Sequence, residues 1–192
     1  MSSNMARRGG IAGVLAAALL VVMAILSRVV PVGPVYQTLM DYLYQVLSVL
    51  AFGAIIGAIL CLDAWQRPYP GYGRVGHIGS ILASLGYAIV LLVVIINIAL
   101  GGWHLTPVRI VGAVTLLVGS ALLGVATLRA RKMPWWCGVL LIVAFPIGDI
   151  VDGMFTGGEQ IVLALLWGSV GAALWNRATS DARPVERPMG AF

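Results

Sequence analysis

Six long apolar runs divide the chain and leave only short segments between them. They cover approximately residues 11–26, 39–62, 78–100, 108–128, 135–150 and 160–175. Each run approaches or exceeds the length that an α-helix needs to cross a lipid bilayer. Because lipid offers no hydrogen-bond partners to the backbone, such runs can span it only as helices. The sequence therefore predicts an all-α membrane protein, a bundle of six transmembrane helices.

The composition leaves no room for a soluble domain. Of 192 residues, 60% are hydrophobic and only 10% are charged, which is outside the range of soluble domains. Six spans with short loops use almost the whole chain, so no extramembrane domain is expected. The predicted organisation is a cytoplasmic N-terminal segment (1–10), a six-helix transmembrane domain (11–176) and a flexible cytoplasmic tail (177–192).

Basic residues collect in alternate connections. With a cytoplasmic N-terminus, the inner segments hold ten of the twelve basic residues: Arg7, Arg8, Arg67, Arg74, Arg129, Arg131, Lys132, Arg177, Arg183 and Arg187. The outer segments hold Arg28 and Arg109. Because basic residues in short loops resist translocation, this bias predicts an N-in, C-in topology in the plasma (inner) membrane. Headgroup contacts account for the net charge of +5, and no nucleic acid is predicted as a partner.

Acidic residues show the opposite bias. Four of the seven fall at the predicted outer edge: Asp41, Asp149, Asp152 and Glu159. Asp149 and Asp152 are three residues apart and share one face of a helix. With His104 on another outer loop, this set suits a hard cation or a borderline metal. The alternative is that these carboxylates are solvated or paired with Arg28 and Arg109.

Asp149 is the acid that we expect to be buried, because apolar residues precede it. Pro146, in the same run, removes a helical hydrogen bond and leaves the carbonyl group of Ile142 without its usual partner. An ionisable side chain at membrane depth is a functional candidate by default. The sequence therefore marks Asp149 as a candidate for ligand or ion binding.

Further polar residues interrupt the apolar runs. Asp41, Gln45 and Ser48 follow the i, i+4, i+7 spacing of one helix face. Asn97 and Thr115 stand in the third and fourth runs. These side chains either line one outward-facing cavity or form hydrogen bonds between helices.

Pairs of small residues four apart indicate close helix packing. The pairs are Ala12 with Ala16, Gly53 with Gly57, and Gly168 with Ala172. Small residues let two helix backbones approach closely inside a membrane. The contact is predicted either within the chain or with another subunit.

No residue pattern indicates a cofactor or a reaction. His77 and His104 bracket one span and lie about 40 Å apart by helical rise, too far for one haem. The segment 71–76 matches G-x-G-x-x-G by letters, but no strand precedes it. Cys61 and Cys137 are isolated, unlike redox or zinc pairs. We therefore predict no cofactor and find no catalytic set.

The leading functional hypothesis is a non-enzymatic accessory or structural subunit that packs with itself or with a partner subunit. The alternative is a protein that binds or transports a small solute or cation in an outward-facing polar cavity. In size, six spans and N-in, C-in topology the chain resembles the substrate-binding components of energy-coupling-factor vitamin transporters. Ala12-x-x-x-Ala16 is similar to the motif with which those proteins dock their transport partner, so the resemblance implies a partner membrane subunit.

Overall fold

The computed structural model describes residues 2–29, 36, 38–102 and 105–181. These form six α-helices: α1 (Ser2–Val29), α2 (Leu39–Gln66), α3 (Gly73–Leu100), α4 (Thr106–Ala130), α5 (Trp135–Met154) and α6 (Gly158–Asp181). All six are long and apolar enough to cross a membrane, which confirms the predicted all-α bundle. Helix α1 begins at Ser2, so most of the segment 1–10 is helical. The part of the predicted tail at 182–192 lies outside the described residues.

Local signals set the helix ends. Thr38 caps α2: its hydroxyl group accepts a hydrogen bond from the Asp41 amide at 3.3 Å, and its own amide donates to Asp41 Oδ2 at 2.8 Å. This is a capping box. Gly101 ends α3 with φ of 68°, a conformation that favours glycine. Pro107 occupies the first turn of α4, where its missing amide hydrogen carries no penalty.

The helices form a closed ring. Each contacts its neighbours in sequence, and α1 contacts α6 to complete the circle. Because successive helices run antiparallel, one end of the ring gathers the C-termini of α1, α3 and α5 with the N-termini of α2, α4 and α6. We call it the cavity end, and the opposite end the basic end. The connections at the basic end hold Arg67, Arg131 and Lys132, and Arg129 lies in the last turn of α4.

The outside of the ring is apolar. Large aliphatic side chains such as Ile25, Leu50, Leu92, Ile110 and Leu165 are each more than half exposed. Exposing such a continuous apolar surface to water would be unfavourable, whereas the hydrocarbon core of a bilayer solvates it without that cost. Helix α6, the least apolar of the six, has the largest share of its span buried in the bundle. These helices are those of a polytopic membrane protein.

Glycines bring α1 and α6 into backbone contact in the half of the ring nearer the basic end. A Cβ atom added to Gly13 would lie 2.9 Å from the Trp167 carbonyl oxygen and 3.0 Å from the Gly171 Cα. A Cβ atom on Gly171 would lie 2.9 Å from the Gly10 carbonyl oxygen. These distances leave no space for a side chain, so glycines permit this crossing.

Helices α3 and α4 are joined in the same way. A Cβ atom on Gly79 would lie 2.5 Å from the Leu123 amide nitrogen, and one on Gly119 would overlap the Ala83 backbone. Nearer the cavity end the contact changes. A Cβ atom on Gly112 would meet the side chain of Ile89 at 2.9 Å rather than a backbone. The backbones of α3 and α4 therefore touch from the basic end to the middle of the pair, where a Cβ atom on Gly86 would lie 2.5 Å from the Leu116 amide nitrogen, and side chains separate them beyond that point.

The predicted small-residue pairs divide into buried and exposed positions. Ala16 is fully buried, Ala12 packs against the core, and a Cβ atom on Gly168 would lie 3.3 Å from Ala17 Cβ. Gly57 lies beside Ala12, at 4.0 Å by the same measure. Gly53 has nothing within 4 Å, and Ala172 is exposed. These last two face outward, and Gly171 rather than Ala172 meets α1, so of the two predicted kinds of contact only one with another subunit stays open for Gly53 and Ala172.

Candidate functional site

A cavity of about 570 Å³ occupies the centre of the ring at the cavity end. All six helices line it, through residues that include Met23, Gln45, Asn97, Arg109, Asp149 and Glu159. Its volume falls within the range of small-molecule sites, about 300 to 1,000 Å³. The structure thus brings side chains that are distant in sequence around one space.

Charged side chains surround the mouth of the cavity. Asp149 and Asp152 extend from the last turns of α5, Glu159 from the first turn of α6, and Arg109 from the first turn of α4. The expectation that Asp149 is buried is wrong, because the last turns of α5 border the open mouth and leave this carboxylate exposed. Three carboxylates therefore accompany one guanidinium group.

Glu159 is the most enclosed of the three acids at the mouth. A Cβ atom added to Gly148 would lie 3.3 Å from Glu159 Cγ, so the absence of a side chain at Gly148 lets Glu159 lie against α5. The charges of Asp149, Arg109 and Asp152 all act on it. Its carboxylate thus lies among charges of both signs.

Amide side chains form the wall below the mouth. The Gln160 Nε2 atom donates to the Tyr44 hydroxyl group at 3.0 Å, but its buried Oε1 atom has no hydrogen-bond partner among the described residues. Gln45 is only 6% exposed and lines the cavity. An unsatisfied buried polar group costs about 1–3 kcal/mol. The Gln160 Oε1 atom can therefore accept a hydrogen bond from an occupant of the cavity, and the Gln45 amide borders the same space.

Aromatic side chains form the floor. The Tyr87 ring lies with its centroid 5.7 Å from that of Phe52 and 6.0 Å from that of Phe145. Trp167 packs edge-on against Tyr87, and its Nε1 atom donates to the Tyr87 hydroxyl group at 3.3 Å. The cavity is therefore charged at its mouth, polar along its wall and aromatic at its floor.

The structure brings most of the predicted site residues together. Gln45, Asn97, Asp149, Asp152 and Glu159 all line the cavity, and their role in binding stays a prediction.

Asp41 does not line the cavity, since its carboxylate holds the cap of α2 and also accepts the Thr38 hydroxyl group at 3.0 Å. Thr115, on the outside of α4, donates to the Val111 carbonyl oxygen. His104 lies outside the described residues, so the metal site that would include it is not described. Among the residues that are described, no three His, Cys, Asp or Glu side chains converge on a possible metal position.

Sequence reasoning missed part of the lining. Arg109 was considered only as a partner for acids, and Tyr44, Gln160 and Tyr87 were not singled out. One signal was present: Gln160 directly follows Glu159 at the start of an apolar helix. The aromatic floor carried no signal, because single aromatic residues in apolar helices are common.

A second polar cluster lies at the basic end and was also missed. Asp63 is 4% exposed and accepts hydrogen bonds from Arg67 Nη2 at 2.6 Å and from the Tyr72 hydroxyl group at 3.0 Å. The His77 Nδ1 atom lies 3.3 Å from each Asp63 oxygen and 2.9 Å from Arg67 Nη2. Burial, together with the nearby Asp63 carboxylate, raises the pKa of Tyr72. This cluster fastens the end of α2 to the start of α3.

Comparison with protein-family models, with curated proteins and with solved structures gave no match.

Proposed function

We propose that this protein binds a small solute in the cavity, which opens to the outer face of the plasma (inner) membrane. The observation that carries this proposal is the cavity itself, which the buried Gln45 lines and where the buried Gln160 Oε1 atom lacks a hydrogen-bond partner among the described residues. A bundle whose helices served only to pack together would gain by filling this space, because dispersion contacts provide much of the packing energy in a membrane.

The orientation follows from the distribution of charge. Eight of the described basic residues lie at the basic end: Arg7, Arg8, Arg67, Arg74, Arg129, Arg131, Lys132 and Arg177. Arg28 and Arg109 lie at the cavity end. Under the positive-inside rule the basic end faces the cytoplasm with both termini. The cavity then faces outward.

Thermal unfolding of the purified full-length protein in lipid nanodiscs, scanned against a broad set of small metabolites, tests the proposal. A bound solute at a concentration 100 times its Kd stabilises the protein by about 2.7 kcal/mol. Ser48→Phe, which projects a ring into the cavity, should abolish the shift. Leu165→Phe, on the lipid-facing surface, is the matched control and should preserve it. A shift that survives Ser48→Phe, or the absence of any stabilising compound, would contradict the proposal.

One observation favours a second candidate function, an accessory subunit that associates through its outer surface. Gly53 is exposed and has nothing within 4 Å, although small residues on membrane helices commonly serve close contact. If this face binds a second copy or another subunit, Gly53→Leu should reduce the assembly to a monomer in mild detergent. A monomer of the unaltered protein, with no co-purifying membrane protein, would rule this function out.

A further inference from the structure

We propose that the solute is an organic monocation with an apolar, aromatic tail, of the arylalkylammonium class. This inference extends the proposed function and requires that the cavity binds a solute. It specifies the sign of the solute's charge, the orientation of the solute in the cavity and its approximate length.

The charge sign follows from the lining. Asp149, Asp152 and Glu159 contribute three negative charges, and Arg109 contributes one positive charge. The connections at this end, residues 30–38 and 101–105, contain no Asp, Glu, Lys or Arg. Arg28 does not line the cavity and lies over the Phe155 ring at 4.9 Å. Acidic groups therefore outnumber basic groups at the mouth by three to one, and a concave site of low dielectric concentrates the resulting negative field.

The distribution of the carboxylates favours an organic cation over a metal ion. A hard divalent ion needs about six oxygen ligands around one point. The acids are instead spread over two helices, and within the described residues no three potential ligands converge. An ammonium group on a carbon chain needs fewer contacts and can take hydrogen-bond acceptors such as the free Gln160 Oε1.

The orientation of the bound solute follows from the position of the aromatic side chains at the floor of the cavity. Phe145 at the floor and Asp152 at the mouth are seven residues apart on α5, which corresponds to about 10 Å of helical rise. An ammonium group among the carboxylates would thus leave about 10 Å of wall for the rest of the molecule. Phe52, Tyr87 and Phe145 would meet its far end with ring surfaces, which bind another ring by offset or edge-on contacts.

Labelling a cysteine in the cavity with reagents of different charge tests which sign of charge the cavity favours. In a Cys61→Ala, Cys137→Ala background, Ser48→Cys introduces one thiol group in the wall, and Ala113→Cys supplies a second, more exposed position. Methanethiosulfonate reagents carrying a trimethylammonium, a hydroxyl or a sulfonate group are compared on the full-length protein in nanodiscs. Relative to a free thiol in solution, the cationic reagent should be favoured over the anionic one by at least about tenfold.

Two substitutions of opposite sign separate a charge effect from misfolding. Glu159→Gln should lower the ratio of cationic to anionic rates several-fold, whereas Arg109→Gln should raise it. Arg7→Gln removes the same charge as Arg109→Gln but at the basic end, where Arg7 lies over Trp175, and should leave the ratio unchanged. Protection of the thiol group by 2-phenylethylammonium should need at least tenfold less compound than protection by propylammonium or by 3-phenylpropionate.

The outcomes distinguish the two proposals. If no reagent, including the neutral one, reaches either cysteine, the cavity is closed and the proposed function fails. If the reagents enter without preference for the cation, the inferred charge sign is overturned while the accessible cavity stands. Equal protection by the aryl and alkyl ammonium ions overturns the aromatic tail alone.

Discussion

The two ends of the ring use the same six helices but fill the space between them differently. Towards the basic end, glycines at positions 13, 79, 119 and 171 let backbones touch, and the buried Asp63 carboxylate is held by Arg67 and Tyr72. Towards the cavity end, amides and carboxylates line a hollow space, although the connection before α6 still lies close to α1, with a Cβ atom on Gly157 3.0 Å from the Ala24 carbonyl oxygen. Backbone contacts at glycines between α1 and α6 and between α3 and α4 thus accompany the solid half of the bundle.

The largest expected effect comes from replacing one glycine by alanine in each half of the bundle, which adds one methyl group to α4 at each position. Gly119→Ala places its Cβ atom against the Ala83 backbone, which cannot rotate away, so we expect a loss of about 3 kcal/mol or more in the free energy of unfolding. Gly112→Ala meets the side chain of Ile89 instead and should lose about 1 kcal/mol. Unfolding titrations in mixed micelles measure both. Equal losses would break the distinction between the two halves.

Two aspartates test the difference in polar contacts. Asp63→Ala leaves Tyr72 and His77 without their buried acceptor and should destabilise the protein by about 2–3 kcal/mol. Asp149→Ala removes an exposed acid beside two others and should change stability by less than about 0.5 kcal/mol. The same titrations compare them. A larger loss for Asp149→Ala would show that the mouth, not the basic end, is the more tightly held.

Alkaline pH gives a smaller and more specific effect at the basic end. The pKa of Tyr72 is raised above its usual value near 10 by burial and by Asp63. The folded protein keeps this proton at pH values at which the unfolded chain releases it, so its contribution to stability is complete below pH 10 and is lost as the pH rises further.

Tyr72→Phe should therefore cost about 1 kcal/mol at neutral pH, through the lost hydrogen bond to Asp63. It should also make the decline in stability above pH 10 less steep. Thermal unfolding at a series of pH values measures both effects, with Tyr42→Phe, at a half-buried position near the cavity end, as the control. An unchanged slope in Tyr72→Phe would contradict the assignment.

The smallest effect is expected on the lipid-facing side of α2. Gly53→Ala adds a methyl group where nothing lies within 4 Å, so the free energy of unfolding should change by less than about 0.5 kcal/mol, in the direction of greater stability. Micelle titrations at low protein concentration measure it. A loss comparable to that of Gly119→Ala would show that Gly53 packs against another chain or another part of this one.

The sequence predicted the helices and the grouping of polar residues, but not the rotation of each helix. Runs of apolar residues mark a span whichever way it faces, and antiparallel order brings Gln45, Asn97, Asp149 and Glu159 to one end. In a helix that is apolar on every side, however, nothing in the pattern tells the ring interior from lipid.

For this reason the sequence left open which small residues make contacts within the chain. Gly171 and Ala172 are neighbours on α6, yet only Gly171 meets α1. The Asp63 cluster had a local signal in the i, i+4 spacing of Asp63 and Arg67. His77 and Tyr72 complete it only because the connection after α2 turns back on itself, which spacing along a helix does not reveal.

The central claim, a ring that is solid at the basic end and hollow at the cavity end, is tested most directly by a high-resolution density map of the full-length protein in a lipid nanodisc. We predict backbone contact between α3 and α4 at Gly79 and Gly119, and a space bordered by Gln45, Asp149 and Glu159 that holds ordered water or a solute. A map in which side chains of the six helices meet across that space, leaving no room for an occupant, would contradict the account.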